Sequence, residues 1–169
     1  MSTYVDREIA STISPAVFID FLQSVFVTEL IHPSRCLWIS SPWVTNVEII
    51  DNRARQFSSI CPDWPAARIR LIRFVQTLLE RAAQVVIIVS NAPHNEEFVS
   101  LAQPLVRTYT DSMRVICSPD LHEKGIVGDW FSLTGSMNLT YRGIHVNQEH
   151  LVYTCDPARV AERRVRFEL

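Results

Sequence analysis

The sequence predicts an α/β protein in which helices flank both faces of a mixed central β-sheet. Val85–Val89 is an uninterrupted β-branched run, which is typical of a central strand buried on both faces. Apolar residues recur at helical spacing between Pro15 and Leu30, and again over Ala66–Gln84. Short strands and helices alternate along the chain, as they do in layered α/β folds.

The helices are predicted from their ends as well as from their periodicity. Ser14 is placed to cap a helix whose first residue is Pro15, and His32-Pro33 ends that helix. The other predicted helices are Ala66–Gln84, the segment after Asn95 as far as about Gln103, where Pro104 interferes, and the segment that Asp156-Pro157 opens.

Strands are predicted where short apolar runs are bounded by turn residues. The stretch Asp51–Pro65 shows no such pattern, and we expect a loop there. The predicted strands are Cys36–Ser40, Val85–Val89, Met113–Cys117, Lys124–Val127, Phe131–Gly135 and Gln148–Thr154.

Length and composition indicate one globular domain, residues 1–169. The chain is 47% apolar and 20% charged, which suits a folded protein with a sizeable core. Its net charge of −2 argues against a surface that is basic throughout. The first residues show no secretory signal and no apolar run has the length of a membrane span, so we expect no membrane association. The four cysteines form no C-x-x-C pair and are predicted to be free, buried thiols in the cytoplasm.

One segment, Leu121–Glu149, differs in composition from the rest of the chain. It contains all four glycines, and it contains Lys124, the single lysine beside fifteen arginines. A chain that uses arginine for its other positive charges has a specific use for a compact ammonium at this position. Clustered glycines indicate tight backbone geometry or a backbone that a ligand approaches closely.

The residue types in this segment suit chemistry on a phosphate diester. In an extended segment, residues two apart point to the same side, so His122 and Lys124 would face one space. A neutral imidazole can act as nucleophile while the lysine stabilises charge on the phosphoryl oxygens. Ser136 and Asn138 are also two apart, and they would present a hydroxyl and an amide to the same anion without a metal or cofactor.

These residues resemble the signature of the phospholipase D superfamily, His-x-Lys-x4-Asp followed by Gly-Ser-x-Asn. Here the pattern runs from His122 to Asn138. The resemblance implies a phospholipase D-like fold in which His122 forms a covalent phosphohistidine. It also implies that Lys124 and Asn138 bind the phosphate oxygens and that Ser136 assists them.

The resemblance also implies supporting roles for two acidic residues. Asp129 would be structural, forming hydrogen bonds near the site. Glu149 matches an acidic residue downstream of the motif that often orients the nucleophilic histidine in this family, so it would hold the tautomer of His122.

The chain departs from larger family members because it has one copy of the motif. One copy does not supply both a nucleophile and a general acid. A homodimer with a twofold axis would bring two copies of His122 together in one composite site. Short, single-motif members of the family, which include metal-independent DNA endonucleases, are similar to this arrangement.

Three functions remain open at the level of sequence. The leading one is a nuclease that acts on DNA, with the basic cluster Arg159, Arg163, Arg164 and Arg166 tracking the nucleic-acid backbone or forming a solvated helix face. By analogy, partner proteins of a bacterial DNA-modification or phage-defence system would deliver the target. A phospholipase or phosphatidyl transferase would need an apolar mouth, which Trp43, Trp64 or Trp130 could line. The third is a nucleic-acid-binding scaffold subunit of a defence complex without turnover.

Overall fold

A computed structural model describes residue 4 and residues 6–168 of the chain. Within this range a seven-stranded mixed sheet forms the centre of the fold, with strand order β1-β9-β8-β7-β2-β5-β6. A separate two-stranded antiparallel sheet pairs β3 with β4. The strands are β1 Arg7–Ala10, β2 Cys36–Ser40, β3 Glu48–Asp51, β4 Arg68–Arg70, β5 Gln84–Val89, β6 Met113–Cys117, β7 Gly125–Val127, β8 Ser132–Gly135 and β9 His150–Thr154.

The helices lie on both faces of the large sheet, which confirms the predicted fold class. Val85, Ile87 and Val89 of β5 join the core beneath the first three helices, while Val86 and Ile88 pack with the last helix. None of the helices in the described part of the chain is both long and apolar enough to cross a membrane. The helices are α1 Pro15–Ile31, α2 Leu71–Glu80, α3 Glu96–Thr108, α4 Tyr141–His145 and α5 Pro157–Glu168.

The ends of α1 agree with the sequence signals. The Ser14 hydroxyl accepts a hydrogen bond from the backbone nitrogen of Val17 at 3.4 Å, and Pro15 is the first helical residue. The helix ends at Ile31, immediately before His32-Pro33. The strand predictions for β2, β5 and β6 are also confirmed, with parallel pairing of β5 to both of its neighbours.

The predicted helix over Ala66–Gln84 is wrong at both ends. Its first part is strand β4, in which Ile69 is buried between the two exposed residues Arg68 and Arg70. The helix itself occupies Leu71–Glu80, and Gln84 already belongs to β5. Ile69 fits a helical stripe and an alternating strand equally well, so periodicity alone did not separate the two.

Three further differences have local causes. Helix α3 continues through Pro104, which is exposed, and ends at Thr108 instead of near Gln103. Strand β1 was not predicted, because Arg7–Ala10 is too short and polar to give a clear pattern. Of the cysteines predicted to be buried, Cys61 is buried, whereas Cys117 and Cys155 are exposed.

The N-terminal stretch considered for a secretory signal includes residues 1–3 and 5, which lie outside the described residues.

Gly135 is required where β8 passes close to β9. A β-carbon at this position would collide with the carbonyl oxygen of His150. The backbone nitrogen of the next residue, Ser136, donates to that same carbonyl at 3.0 Å. Only a residue without a side chain allows the two strands to approach this closely at the point where the motif leaves the sheet.

We expect Gly135→Ala to lower the free energy of unfolding by about 1–3 kcal/mol, because the added methyl group forces β8 away from His150. Urea denaturation followed by circular dichroism measures the change. An unfolding midpoint equal to that of the wild type would show that the strands relax at no cost and that the glycine is dispensable.

Candidate active site

The β7–β8 hairpin brings both parts of the motif to one edge of the sheet. Its register pairs Gly125 with Thr134 in antiparallel orientation. His122 and Lys124 lie just before β7, and Ser136 and Asn138 lie just after β8. Because an antiparallel pair has the start of one strand beside the end of the other, these four side chains share the same edge.

His122 and Lys124 face an open pocket of about 440 Å³. The imidazole of His122 is exposed, and the Lys124 ammonium donates to the His122 carbonyl oxygen at 3.1 Å. The Ser40 hydroxyl donates to the carbonyl oxygen of Glu123 at 2.9 Å and so attaches this segment to β2. The pocket is lined by His122, Glu123, Lys124, Thr134, Gly135, Val152 and Arg163.

Ser136 is held by the buried carboxylate of Glu149. Its hydroxyl donates to Glu149 Oε2 and accepts from the backbone nitrogen of His150 at 3.1 Å. Glu149 is only 6% exposed, and its other oxygen accepts from the side-chain amide of Asn147 at 3.3 Å. Within the described residues, no hydrogen bond joins Glu149 to His122. The contacts of Glu149 therefore orient Ser136.

Asn138 is fixed through its amide oxygen. The backbone nitrogen of Trp43, in the loop after β2, donates to Asn138 Oδ1 at 3.2 Å. The neighbouring backbone is also tied to that loop, since the nitrogen of Leu139 donates to Ser41 Oγ at 3.0 Å. With the oxygen engaged, the amide nitrogen Nδ2 is the part of the side chain that can donate to an anion.

The loop that carries Trp43 is fastened by Asn95, which the sequence indicated only as the residue before a predicted helix. Asn95 is 2% exposed and accepts from the backbone nitrogen of Val44 at 2.9 Å. Its amide nitrogen donates to the carbonyl oxygens of Pro42 and Ser90, each at 2.8 Å. The contacts with Val44 and Pro42 span 51 and 53 residues of chain, so no local pattern could have indicated them.

The three tryptophans proposed for an apolar mouth lie in different places. Trp43 is at the motif edge, 53% exposed, with its ring against His94 at a centroid distance of 5.2 Å. Trp64 is buried, and its indole nitrogen donates to Thr77 Oγ1 at 3.0 Å. Trp130 lies in the β7–β8 turn, stacked on His32. They form no common surface at the motif.

Asp129 lies at the opposite end of the hairpin, which corrects the expectation that it bonds near the site. It sits in the β7–β8 turn, so three strand residues, or about 10 Å, separate it from the motif edge. Its carboxylate accepts from Arg35 Nε at 3.1 Å and from Arg164 Nη2 at 2.8 Å. These contacts agree with a structural role for Asp129, but that role lies at the β7–β8 turn and not at the motif edge.

A second carboxylate, Glu29 of α1, lies behind this turn and was not singled out from the sequence. Glu29 is 2% exposed and accepts from the backbone nitrogen of Ser34 at 3.0 Å and from the Ser34 hydroxyl. The Ser34 hydroxyl in turn accepts from the backbone nitrogen of Asp129 at 2.8 Å. A single glutamate in an apolar helix gives no signal in the sequence that it is buried.

The two carboxylates have pKa values shifted in opposite directions. Burial raises the pKa of Glu29, and the hydrogen bonds from Ser34 offset this only in part. Burial also opposes ionisation of Asp129, but hydrogen bonds from Arg35 and the charge of Arg164 outweigh it and hold that pKa below its ordinary value. At neutral pH Asp129 is therefore the ionised anchor of the turn.

Solved structures with the same fold include two chains of similar size. No protein-family model and no curated protein matches the sequence. NucT from Helicobacter pylori superposes with a TM-score of 0.65 at 14% identity, covering 98% of this chain and 94% of that one. The phospholipase D family member Nuc from Salmonella typhimurium gives 0.60 at 12% identity, covering 98% and 93%. Phosphatidylserine synthase from Haemophilus influenzae gives 0.60 at 15% identity, covering 98% of this chain and 38% of that one.

These similarities define the class of the protein by its fold. The chain has the phospholipase D-like fold, as the motif resemblance predicted. Within that class, it matches NucT and Nuc over nearly their whole lengths but spans little more than a third of the phosphatidylserine synthase chain. It therefore corresponds in extent to the short chains with this fold.

We expect Glu29→Gln to gain stability relative to the wild type as the pH rises. A raised folded-state pKa contributes stability that is full below the unfolded value, near 4.5, and is lost as the pH rises through the folded value. Glutamine stays neutral, so Glu29→Gln does not lose this stability. In the wild type the loss of unfolding free energy is about 1.4 kcal/mol for each pH unit between the folded and unfolded pKa of Glu29. Urea unfolding between pH 4 and about pH 8 measures the difference.

Asp129→Asn is the matched control, because the pKa of Asp129 is shifted the other way. Its stabilising contribution is present above the unfolded value of 3.8 and disappears as the pH falls through the lowered folded value. The difference in unfolding free energy between the wild type and Asp129→Asn should therefore disappear at acidic pH. Parallel stability profiles for the wild type and Glu29→Gln would contradict the assignment of Glu29 as a costly buried charge.

Proposed function

We propose that the protein is a metal-independent phosphodiesterase that cleaves nucleic acid, with DNA as its substrate. The observation that carries the proposal is the hairpin register, which places His122, Lys124, Ser136 and Asn138 at one edge of the sheet. An exposed imidazole beside an ammonium and amide donors suits attack on a phosphate diester. The phospholipase D-like fold supports this reading of the motif.

Each residue has a distinct role in the proposed reaction. His122 attacks phosphorus and forms a phosphohistidine, while the leaving oxygen takes a proton from a general acid. Lys124 and the Asn138 amide nitrogen stabilise the negative charge on the phosphoryl oxygens. Water then gives its proton to the group that acted as general acid, displaces His122 and releases the phosphate product. Glu149 accepts the Ser136 hydroxyl proton and so fixes the position of that side chain beside the phosphate.

The general acid comes from a second copy of the chain in this proposal. The chain has one lysine and so one copy of the motif. We propose a homodimer in which His122 of the partner subunit protonates the leaving oxygen. Apolar side chains at or near the motif edge support such an interface, since Trp43, Tyr141 and Val146 are all more than half exposed. Partner proteins of a modification or defence system remain part of the proposal, as a means of delivering the target.

A phosphatidyl transferase is the second candidate, because phosphatidylserine synthase has the same fold. The structure gives it less support. Four of the seven residues that line the motif pocket have ionisable side chains, namely His122, Glu123, Lys124 and Arg163, and of the three tryptophans only Trp43 is at that edge. A binding scaffold without turnover is disfavoured by the intact set of motif residues.

We expect purified protein to cleave DNA and a chromogenic diester in the presence of EDTA. His122→Asn should lose activity by at least a thousandfold, because the nucleophile is gone, and Lys124→Ala by roughly a hundredfold or more. Gel and absorbance assays measure both. Cleavage that needs Mg²⁺, or that persists in His122→Asn, would refute the mechanism, and turnover of a phospholipid but not of DNA would favour the transferase.

The composite site is tested by mixing subunits. When wild type and His122→Asn are co-refolded, DNA cleavage should fall as the square of the wild-type fraction, because each site needs two histidines. DNA is the required substrate, since its alkoxide leaving group needs a proton, whereas p-nitrophenolate leaves without one.

Mixing with His32→Asn is the control, because His32 lies at the far end of the hairpin beside Trp130. DNA cleavage should not fall as the fraction of His32→Asn subunits increases. A decline proportional to the wild-type fraction in the His122→Asn mixture, or an active strict monomer by light scattering, would show that each chain works alone.

A further inference from the structure

The four arginines of α5 do not form one uniform basic face. Three of them are neutralised by carboxylates, whereas Arg163 has no ion pair within the described residues. This distinguishes Arg163 from its neighbours, which the sequence grouped with it. The paired arginines are Arg159 with Asp6, Arg164 with Asp129 at 2.8 Å, and Arg166 with Glu162 at 2.8 Å.

Arg163 lies on the side of α5 that faces the sheet. It falls between Val160 and Phe167, which are buried against Trp38 and Val127. Its side chain is half-buried and lines the same pocket as His122 and Lys124. A guanidinium that is partly removed from water without a carboxylate is a site prepared for an anion.

The charges around the pocket favour the same conclusion. Lys124 and Arg163 contribute two positive charges, and Glu123 is the one carboxylate among the pocket residues. Arg166 is 4.0 Å from Glu123 but already pairs with Glu162, so the charge of Glu123 cancels one of the two positive charges and leaves the other. An anion in the pocket would therefore meet a net positive field.

The shape of the pocket indicates which anion Arg163 meets. The lining includes His122 and Lys124 but neither Ser136 nor Asn138, so the pocket runs from the reactive histidine toward α5. A scissile phosphate held between Lys124 and Asn138 would leave Arg163 beyond it. Arg163 is therefore placed to bind a second group of the same ligand, beyond the scissile phosphate.

We propose that Arg163 binds the phosphate next to the scissile one in a polymeric phosphodiester. The inference rests on the proposed function and makes it more specific. A nucleic-acid strand carries a phosphate at every nucleotide, whereas a diester lipid has no second phosphate for Arg163 to bind. Arg163 is a substrate-binding residue that selects a nucleic-acid strand over a single-phosphate diester.

The test compares Arg163→Ala on two substrates. The ratio of kcat/KM for single-stranded DNA to that for bis-p-nitrophenyl phosphate should fall about tenfold, because only DNA offers the second phosphate. The loss should appear in KM for DNA. In a binding assay with labelled single-stranded DNA, on the His122→Asn background, the slope of log K against log salt should weaken by about 0.7. Arg163→Lys should restore part of both effects.

Arg107→Ala is the matched control, since Arg107 is an exposed arginine in the last turn of α3 that has no ion pair among the described residues. It should leave the substrate ratio and the salt slope unchanged. Equal losses on both substrates, an unaltered salt slope, or a change in dimer mass would overturn the assignment of Arg163. If the wild type cleaves neither substrate, the proposed function fails, while the binding slope still decides the role of Arg163.

Discussion

The antiparallel register of β7 and β8 is the constraint on which the candidate site depends. It joins two segments that are separate in sequence, one with His122 and Lys124 and the other with Ser136 and Asn138. A slip by one residue would turn the side chains of one strand to the other face. The close contact of Gly135 with the His150 carbonyl fixes β8 against β9 as well, so the register is held from both sides.

The hairpin has a motif end, which carries the candidate site, and an anchored end. At the motif end, His122 is exposed, Lys124 donates to a backbone carbonyl, and Asn138 accepts from a backbone nitrogen. At the anchored end, Asp129 is ionised between Arg35 and Arg164, and its backbone is bonded to Ser34. Asp129 thus acts at a distance from the motif edge, because it holds the turn to the segment just before β2 and to α5.

Local signals in the sequence predicted what depends on local structure. The β-branched run in β5 and the cap at Ser14 correspond to a central strand and a helix start. Ile69 was assigned to a helix because its partner strand, β3, is about twenty residues away in the chain. The motif indicated the residues that the β7–β8 hairpin brings to one edge, but the hydrogen bonds that Ser136 donates to Glu149 and that Val44 donates to Asn95 depend on tertiary contacts.

Helix α5 connects the two ends of the hairpin through neighbouring residues. Arg164 reaches the turn and bonds both the Gly128 carbonyl and Asp129, while Arg163 lines the pocket with His122. Successive helical residues differ by about 100° in direction, so one helix crossing the sheet can serve both ends. The bonds of Arg164, together with the packing of Val160 and Phe167, hold α5 in place and so position Arg163 beside His122. The charge at the turn therefore sets the geometry of the pocket in which we place the second phosphate.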